Sequence, residues 1–238
     1  MELYNDVLVR IRALLPTAPV KRVPYDAAAC APEGEKDRIL FGSDTAYELG
    51  GGGKQSAEAV LFADWPEGRS ETLLYGPDLC EIACDVPFGH ITLVKLRETD
   101  DVPLSSERLK TIGFTVFQLY PQGYHIRISP AACREQVRVA KAALHKEPPL
   151  SFIHVGNSLI KAFLLQPDVQ AVRTAFITDP AFDYKALSVL AGKTKKITDA
   201  VQSTLQMDEL DCASCKMKPV CDEIDGLREL HFRKEGKR

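Results

Sequence analysis

Three cysteines, Cys212, Cys215 and Cys221, crowd into the stretch CASCKMKPVC near the end of the chain. Thiolates are soft ligands, and Cys-x2-Cys is the spacing at which a tight turn presents two of them to one metal ion or cluster. A third thiolate follows a bend that contains Lys216, Lys218 and Pro219. The charged neighbours Asp211, Lys216 and Lys218 argue against three thiols sunk in an apolar core. Zinc sites use the same knuckle but usually pair two, and the sequence holds neither a second Cys-x2-Cys nor a His-x3-5-His. The spacing therefore favours an iron–sulfur cluster, of the four-iron four-sulfur kind, with zinc as the alternative. The fourth ligand is open: Asp222 and His231 are nearest in sequence, while Cys80, Cys84 and Cys133 could approach through the fold. A helical PDLCEIACDVP would turn Cys80 and Cys84 the same way; the competing expectation makes them core thiols beside Leu79 and Ile82.

A second stretch with chemistry in it is YELGGGGKQSAEAVLF. Gly50 to Gly53 permit positive φ and close backbone approach, and Lys54 with Ser56 could hold a phosphate or carboxylate against exposed N–H groups. The spacing matches neither a Walker A loop nor a dinucleotide fingerprint, so a flexible hairpin turn is the plainer expectation. Of the five histidines, His90, His125, His145, His154 and His231, none stands beside a nucleophile elbow or a metalloprotease pair. His125 and His154 are expected to be satisfied or half-buried, and no catalytic residue is assigned.

The rest of the chain must position these groups. At 238 residues, 45% hydrophobic and 26% charged, it can bury a real core as one large domain or two small ones. A net charge of −3 and a pI near 6.0 provide no electrostatic reason for nucleic acid or an anionic membrane as partner. The opening MELYNDVLVRIRALLP carries Glu2 and Asp6 and no basic n-region, so it does not read as a signal peptide. No apolar run approaches the ~20 residues that span a bilayer. A cytoplasmic protein is expected, where seven cysteines, an odd number, point to metal or redox chemistry before disulfides.

Leu3, Val7, Ile11 and Leu14 recur at helical spacing up to Pro16. The runs RILFG, AEAVLF, ETLLYG and HITLVKL then read as strands between Gly, Pro and Asp. Ser106 is expected to cap a helix from Glu107 to Ile112, YHIRIS to form a strand, and Pro130 to open a helix from Ala131 to about His145. FIHVGNSLIKAFLL reads as helical in its second part and VRTAFIT as a strand. One helix is expected over FDYKALSVLAG and a longer one from Thr194 to about Met207. This irregular order favours α+β, a mixed or antiparallel sheet with packed helices. Three segments are expected: 1–22 as helix and linker, 23–207 as the α+β domain, and 208–238 as a Cys-rich metal segment with a basic tail.

In their order along the chain, YELGGGGKQSAEAVLF, YGPDL, PFGHITLVKL, YHIRIS, HVGNSLIKAF, VRTAFITD and the Cys-x2-Cys resemble acetyl-CoA synthase, the β subunit of the carbon monoxide dehydrogenase/acetyl-CoA synthase complex. The likeness is to its middle domain and the opening of its A-cluster motif, from roughly Val23 to Cys221. It implies an α+β domain, an oxygen-sensitive iron–sulfur site, and a setting in anaerobic one-carbon or corrinoid metabolism. The departures limit it. The family has a wider gap between the second and third cluster cysteines, a fourth cysteine and a downstream Cys-Gly-Cys for the distal nickel. This chain has a five-residue gap and no cysteine beyond Cys221, lacks the family's N-terminal dehydrogenase-binding domain, and carries its one tryptophan, Trp65, elsewhere. Acetyl-CoA synthesis by this chain alone is not expected; any enzymatic activity would be related to acetyl-CoA synthase or carbon monoxide dehydrogenase chemistry. The expected role is an iron–sulfur accessory or electron-transfer protein with a redox or corrinoid partner, against a zinc-stabilised binding module. Lys54 and Arg127, the latter in the IRIS strand, are the candidate contacts for coenzyme A.

Overall fold

The computed structural model describes residues 2–34, 44–65, 68–97, 105–206 and 218–219. In chain order its regular elements are α1 (Asn5–Leu14), β1 (Lys21–Pro24), β2 (Ala46–Leu49), β3 (Ser56–Phe62), β4 (Glu71–Tyr75), β5 (Phe88–Leu96) and α2 (Ser106–Gly113). There follow β6 (Tyr124–Ser129), β7 (Arg134–Ala140), α3 (Lys141–Leu144), α4 (Phe152–Leu164), β8 (Val169–Ile177) and α5 (Tyr184–Gln206).

Five strands form a mixed sheet in the order β1-β4-β8-β5-β3, with β4/β8 and β5/β3 parallel and β1/β4 and β8/β5 antiparallel. Three more, β2-β7-β6, form a small antiparallel sheet. The α+β class with a mixed sheet and packed helices is as the sequence suggests. α1 buries Val7 and Ile11 of the stripe its periodicity predicts, together with Leu8, in one core shared with α5 and the large sheet, while Leu3 and Leu14 are partly buried against it. A second core lies between the small sheet and the start of α4, where Phe152 stacks on Phe176 at 4.7 Å between ring centroids.

Several elements differ from the sequence reading. The helix expected from Ala131 to His145 is mostly the strand β7, because Glu135, Val137 and Val139 alternate inward and the segment pairs residue for residue with β6. Its Ala, Arg, Glu and Gln content favours a helix, but two buried valines in a period of two outweigh that preference. α4 is helical from Phe152 onward, with the Ser151 hydroxyl accepting the His154 N–H at 3.3 Å. The two helices expected after Phe182 are one, α5, running unbroken through Gly192. The cap of α2 is Ser105, one residue earlier than expected. Of the predicted RILFG strand, residues 38–42, nothing falls within the described residues.

Two features hold the large sheet. Glu71, wholly buried on β4, accepts Arg22 Nε and Nη2 at 2.8 and 3.0 Å from β1 and faces Arg173 Nη2 at 2.6 Å from β8. Beyond β4, Gly76 turns with φ +104°, and a Cβ there would meet the Asp179 backbone nitrogen at 2.4 Å, so only glycine fits.

Candidate functional site

The outer edge of β3 is not open to water. Its Glu58 N–H donates to the Cys133 carbonyl at 2.8 Å, and the Ser56 hydroxyl donates to the Glu135 carbonyl, so the edge strand of the large sheet is stitched to the start of β7. Cys133 adopts the left-handed conformation, φ 49° and ψ 47°, after the turn Pro130–Ala132. A side-chain-bearing residue is uncommon there, and such backbone strain clusters at functional places.

That stitching brings three titratable groups together. In the parallel register of β3 and β5, Glu58 lies opposite His90. His90 is buried, stacked on Phe176 at 4.8 Å, with Nδ1 2.6 Å from Glu135 Oε2 and Nε2 2.8 Å from Thr174 Oγ1. Thr92 Oγ1 stands 3.2 Å from the same Nε2. Burial opposes a charge on His90, but the Glu135 carboxylate against Nδ1 more than offsets it, and the imidazole pKa is raised above 6.5. As imidazolium, His90 donates through both nitrogens, to Glu135 and to Thr174. Glu135 Oε1 and the Tyr124 hydroxyl are buried with no hydrogen-bond partner among the described residues. Burial, with the neighbouring Glu135 charge, drives the Glu58 carboxyl up to about 7, and His90 only partly opposes this.

Glu58 opens onto a cavity of about 530 Å³ bounded by β3, α2, α5 and the Pro130–Cys133 turn. Its walls are largely apolar, from Val60, Phe62, Leu109 and Ala191, and its mouth carries Phe114 and Phe117, 58% and 40% exposed. A volume of this order with a few convergent polar groups is the usual form of a small-molecule site. The arrangement can exchange a proton near neutral pH: Glu58 is poised to give or take one, with the His90–Glu135 pair behind it. The Cys133 thiol also lines the cavity, but burial and then Glu58 push its pKa up, so it is a neutral thiol and not a ready thiolate ligand.

The residues singled out in the sequence lie elsewhere. Lys54 is exposed, its N–H closing on the Gly51 carbonyl at 2.9 Å. The glycine turn, with φ positive at Gly50, Gly52 and Gly53, joins strands of different sheets and so is not a hairpin. Glu48, itself paired with Arg138, and Asp85 flank it; Asp85 accepts the Glu48 N–H at 2.8 Å and its carboxylate disfavours an anion there. Arg127 is exposed on β6 opposite Gln136, and neither it nor Lys54 lines the cavity. Cys212, Cys215 and Cys221, with Asp222 and His231, fall outside the described residues. Cys80 and Cys84 are exposed beside buried Leu79 and Ile82, so they are not core thiols, and only Cys80 lies in a helical turn, Leu79–Glu81. Among the described residues no group of three His, Cys, Asp or Glu side chains is placed to hold a metal ion. His125 is half-buried, and His154 is half-buried with Nδ1 3.1 Å from the Ser151 hydroxyl, as expected of them.

Sequence reasoning missed Glu58, His90 and Glu135. The signal was there: a polar residue at an inward position of each strand, in AEAVLF, HITLVKL and REQVRVA, in place of an apolar one. Compared with known proteins, the chain matches no family model and no curated protein.

The buried acids fix how stability responds to pH. A Glu58 pKa raised from 4.5 to about 7 means the folded state holds a proton that the unfolded state has lost. Stability therefore falls as pH rises from 4.5 through 7, by about 3 kcal/mol from this group. His90, also raised, adds stability below 6.5 that is lost as pH climbs through its own folded pKa, the same direction. Urea unfolding at about pH 5 and pH 8 is expected to show the folded state markedly weaker at the higher pH, and Glu58→Gln should flatten most of that slope. A wild-type stability unchanged between the two conditions would contradict the desolvated carboxyl.

Proposed function

We propose that this chain is an iron–sulfur-cluster-binding protein, an accessory or electron-transfer component related to acetyl-CoA synthase and acting in anaerobic one-carbon or corrinoid metabolism beside a redox or corrinoid partner. The observation that carries the reading is the donor set Cys212-x2-Cys215-x5-Cys221. Three soft thiolates at that spacing suit a four-iron cluster, and Lys216 and Lys218 supply compensating positive charge. Such a cluster would supply one-electron chemistry. Cys212 follows the last residue of α5, Gln206, by six positions, so the donor set is tethered to the helix that walls the cavity.

A zinc-stabilised binding module on the same fold is the second reading, favoured by the Cys-x2-Cys knuckle itself. Metal and sulfide analysis of protein prepared without oxygen separates the two. Iron with inorganic sulfide and a brown chromophore is the expected result; stoichiometric zinc in the same preparation would replace the first reading with the second. Calorimetry with coenzyme A addresses Lys54 and Arg127, and an absence of heat at millimolar ligand removes them as coenzyme contacts.

A further inference from the structure

We propose that the cavity between α2 and α5 binds an apolar molecule that ends in a protonated amine, with the ammonium group against Glu58 and the apolar body between Leu109, Phe114 and Phe117. The inference stands on the cavity alone and holds whether or not the C-terminal cysteines bind metal.

The charge around the cavity selects the ligand. The Glu58 carboxyl has no hydrogen bond or ion pair among the described residues, although the residue is half-buried in the cavity wall. A half-buried acceptor without a protein donor gains from one, so a molecule that fills the cavity and brings a donor is favoured. Most of the other charged groups around Glu58 are already engaged. On α5, Lys195 is paired with Asp199. On α2, Lys110 is exposed. From β5, His90 is committed to Glu135 of β7, and the Cys133 thiol from the adjoining turn is neutral. An ionised Glu58 would therefore add a second carboxylate to a pair that His90 alone neutralises. A ligand ammonium supplies the missing positive charge, whereas a ligand carboxylate would face Glu58 and Glu135 together. At the mouth, the Phe114 and Phe117 rings lie 5.6 Å apart at 47° and remain exposed, a surface for an aryl or alkyl body.

Binding should also move a proton. Below neutral pH Glu58 is protonated in the free protein, and pairing with an ammonium ejects that proton; well above neutral pH no proton is released.

A matched series tests this by calorimetry on the full chain: 3-phenylpropylamine, 3-phenylpropan-1-ol and 3-phenylpropanoate. The amine is expected to bind at least about tenfold more tightly than either analogue. Glu58→Gln, checked for cooperative unfolding at about pH 6, where the wild-type carboxyl is also neutral, should bring amine and alcohol to equal affinity. On the wild-type protein, buffers of different ionisation enthalpy should show proton release at about pH 6 and none at about pH 8.5, a readout that needs no variant. Equal or tighter binding of the carboxylate, a retained amine preference in Glu58→Gln, a missing proton release at about pH 6, or no heat with the amine at millimolar concentration would each overturn the proposal.

Discussion

Alanine at Cys212, Cys215 or Cys221 is expected to strip iron and inorganic sulfide from protein prepared without oxygen, while the α+β body stays folded. In the proposed cluster each thiolate would hold one iron, so the loss of one ligand would open a corner to solvent and make the whole assembly labile. The body does not need the metal for its core. Among the described residues the buried apolar set runs from Tyr4 to Val201 and closes two cores of its own. That contrasts with small metal domains in which binding free energy is folding free energy. Iron and sulfide should fall to background in each variant, with circular dichroism and the thermal midpoint nearly unchanged. Full metal content in all three would refute the ligand assignment.

Glu71→Ala is expected to destabilise the fold by about 3–5 kcal/mol. The carboxylate joins three neighbouring strands, since β1 donates Arg22 and β8 donates Arg173 across β4. Truncating it takes the Glu71 carboxylate, 2.6 Å away, from the mostly buried Arg173 guanidinium, which is held 5.3 Å from the Trp65 ring centroid. Breaking one side of a buried pair in this way loses more than the pair itself contributes, because a desolvated charge remains. Urea unfolding at neutral pH measures it, and a loss under about 1 kcal/mol would mean that water reaches the arginines.

The large sheet is well represented in the sequence: AEAVLF and HITLVKL lie within observed strands, and ETLLYG and VRTAFIT each overrun theirs by one residue, because continuous apolar runs bounded by Gly, Pro and Asp leave little choice. β7 was illegible for a physical reason. REQVRVA has residues that favour a helix when isolated, and only its pairing with β6 and β2 reveals which valines point inward. The cavity was harder still. Glu58, Cys133 and Lys195 are far apart in sequence, and their meeting depends on a left-handed turn at Cys133 that no local preference of cysteine announces. Lys54 and Arg127 drew notice because they stand beside recognisable motifs, yet both ended at the surface, where charge usually goes.

The position of β8 bears on how the chain is made. Among the described strands it is the last to leave the ribosome, but it sits in the middle of the large sheet, between β4 and β5. Synthesis from Leu96 to Ile177 takes on the order of ten seconds at ordinary elongation rates. For that interval β4 and β5 wait with their inner edges unpaired, a state in which strands of neighbouring nascent chains join each other. Glu71 on β4 and His90 on β5 guard those edges, because a foreign strand would leave Glu71 with Arg22 alone and His90 Nε2 without Thr174. β8 alone arrives with both answers, Arg173 for Glu71 and Thr174 for His90, so the polar residues that burden the finished core also select the strand that completes it.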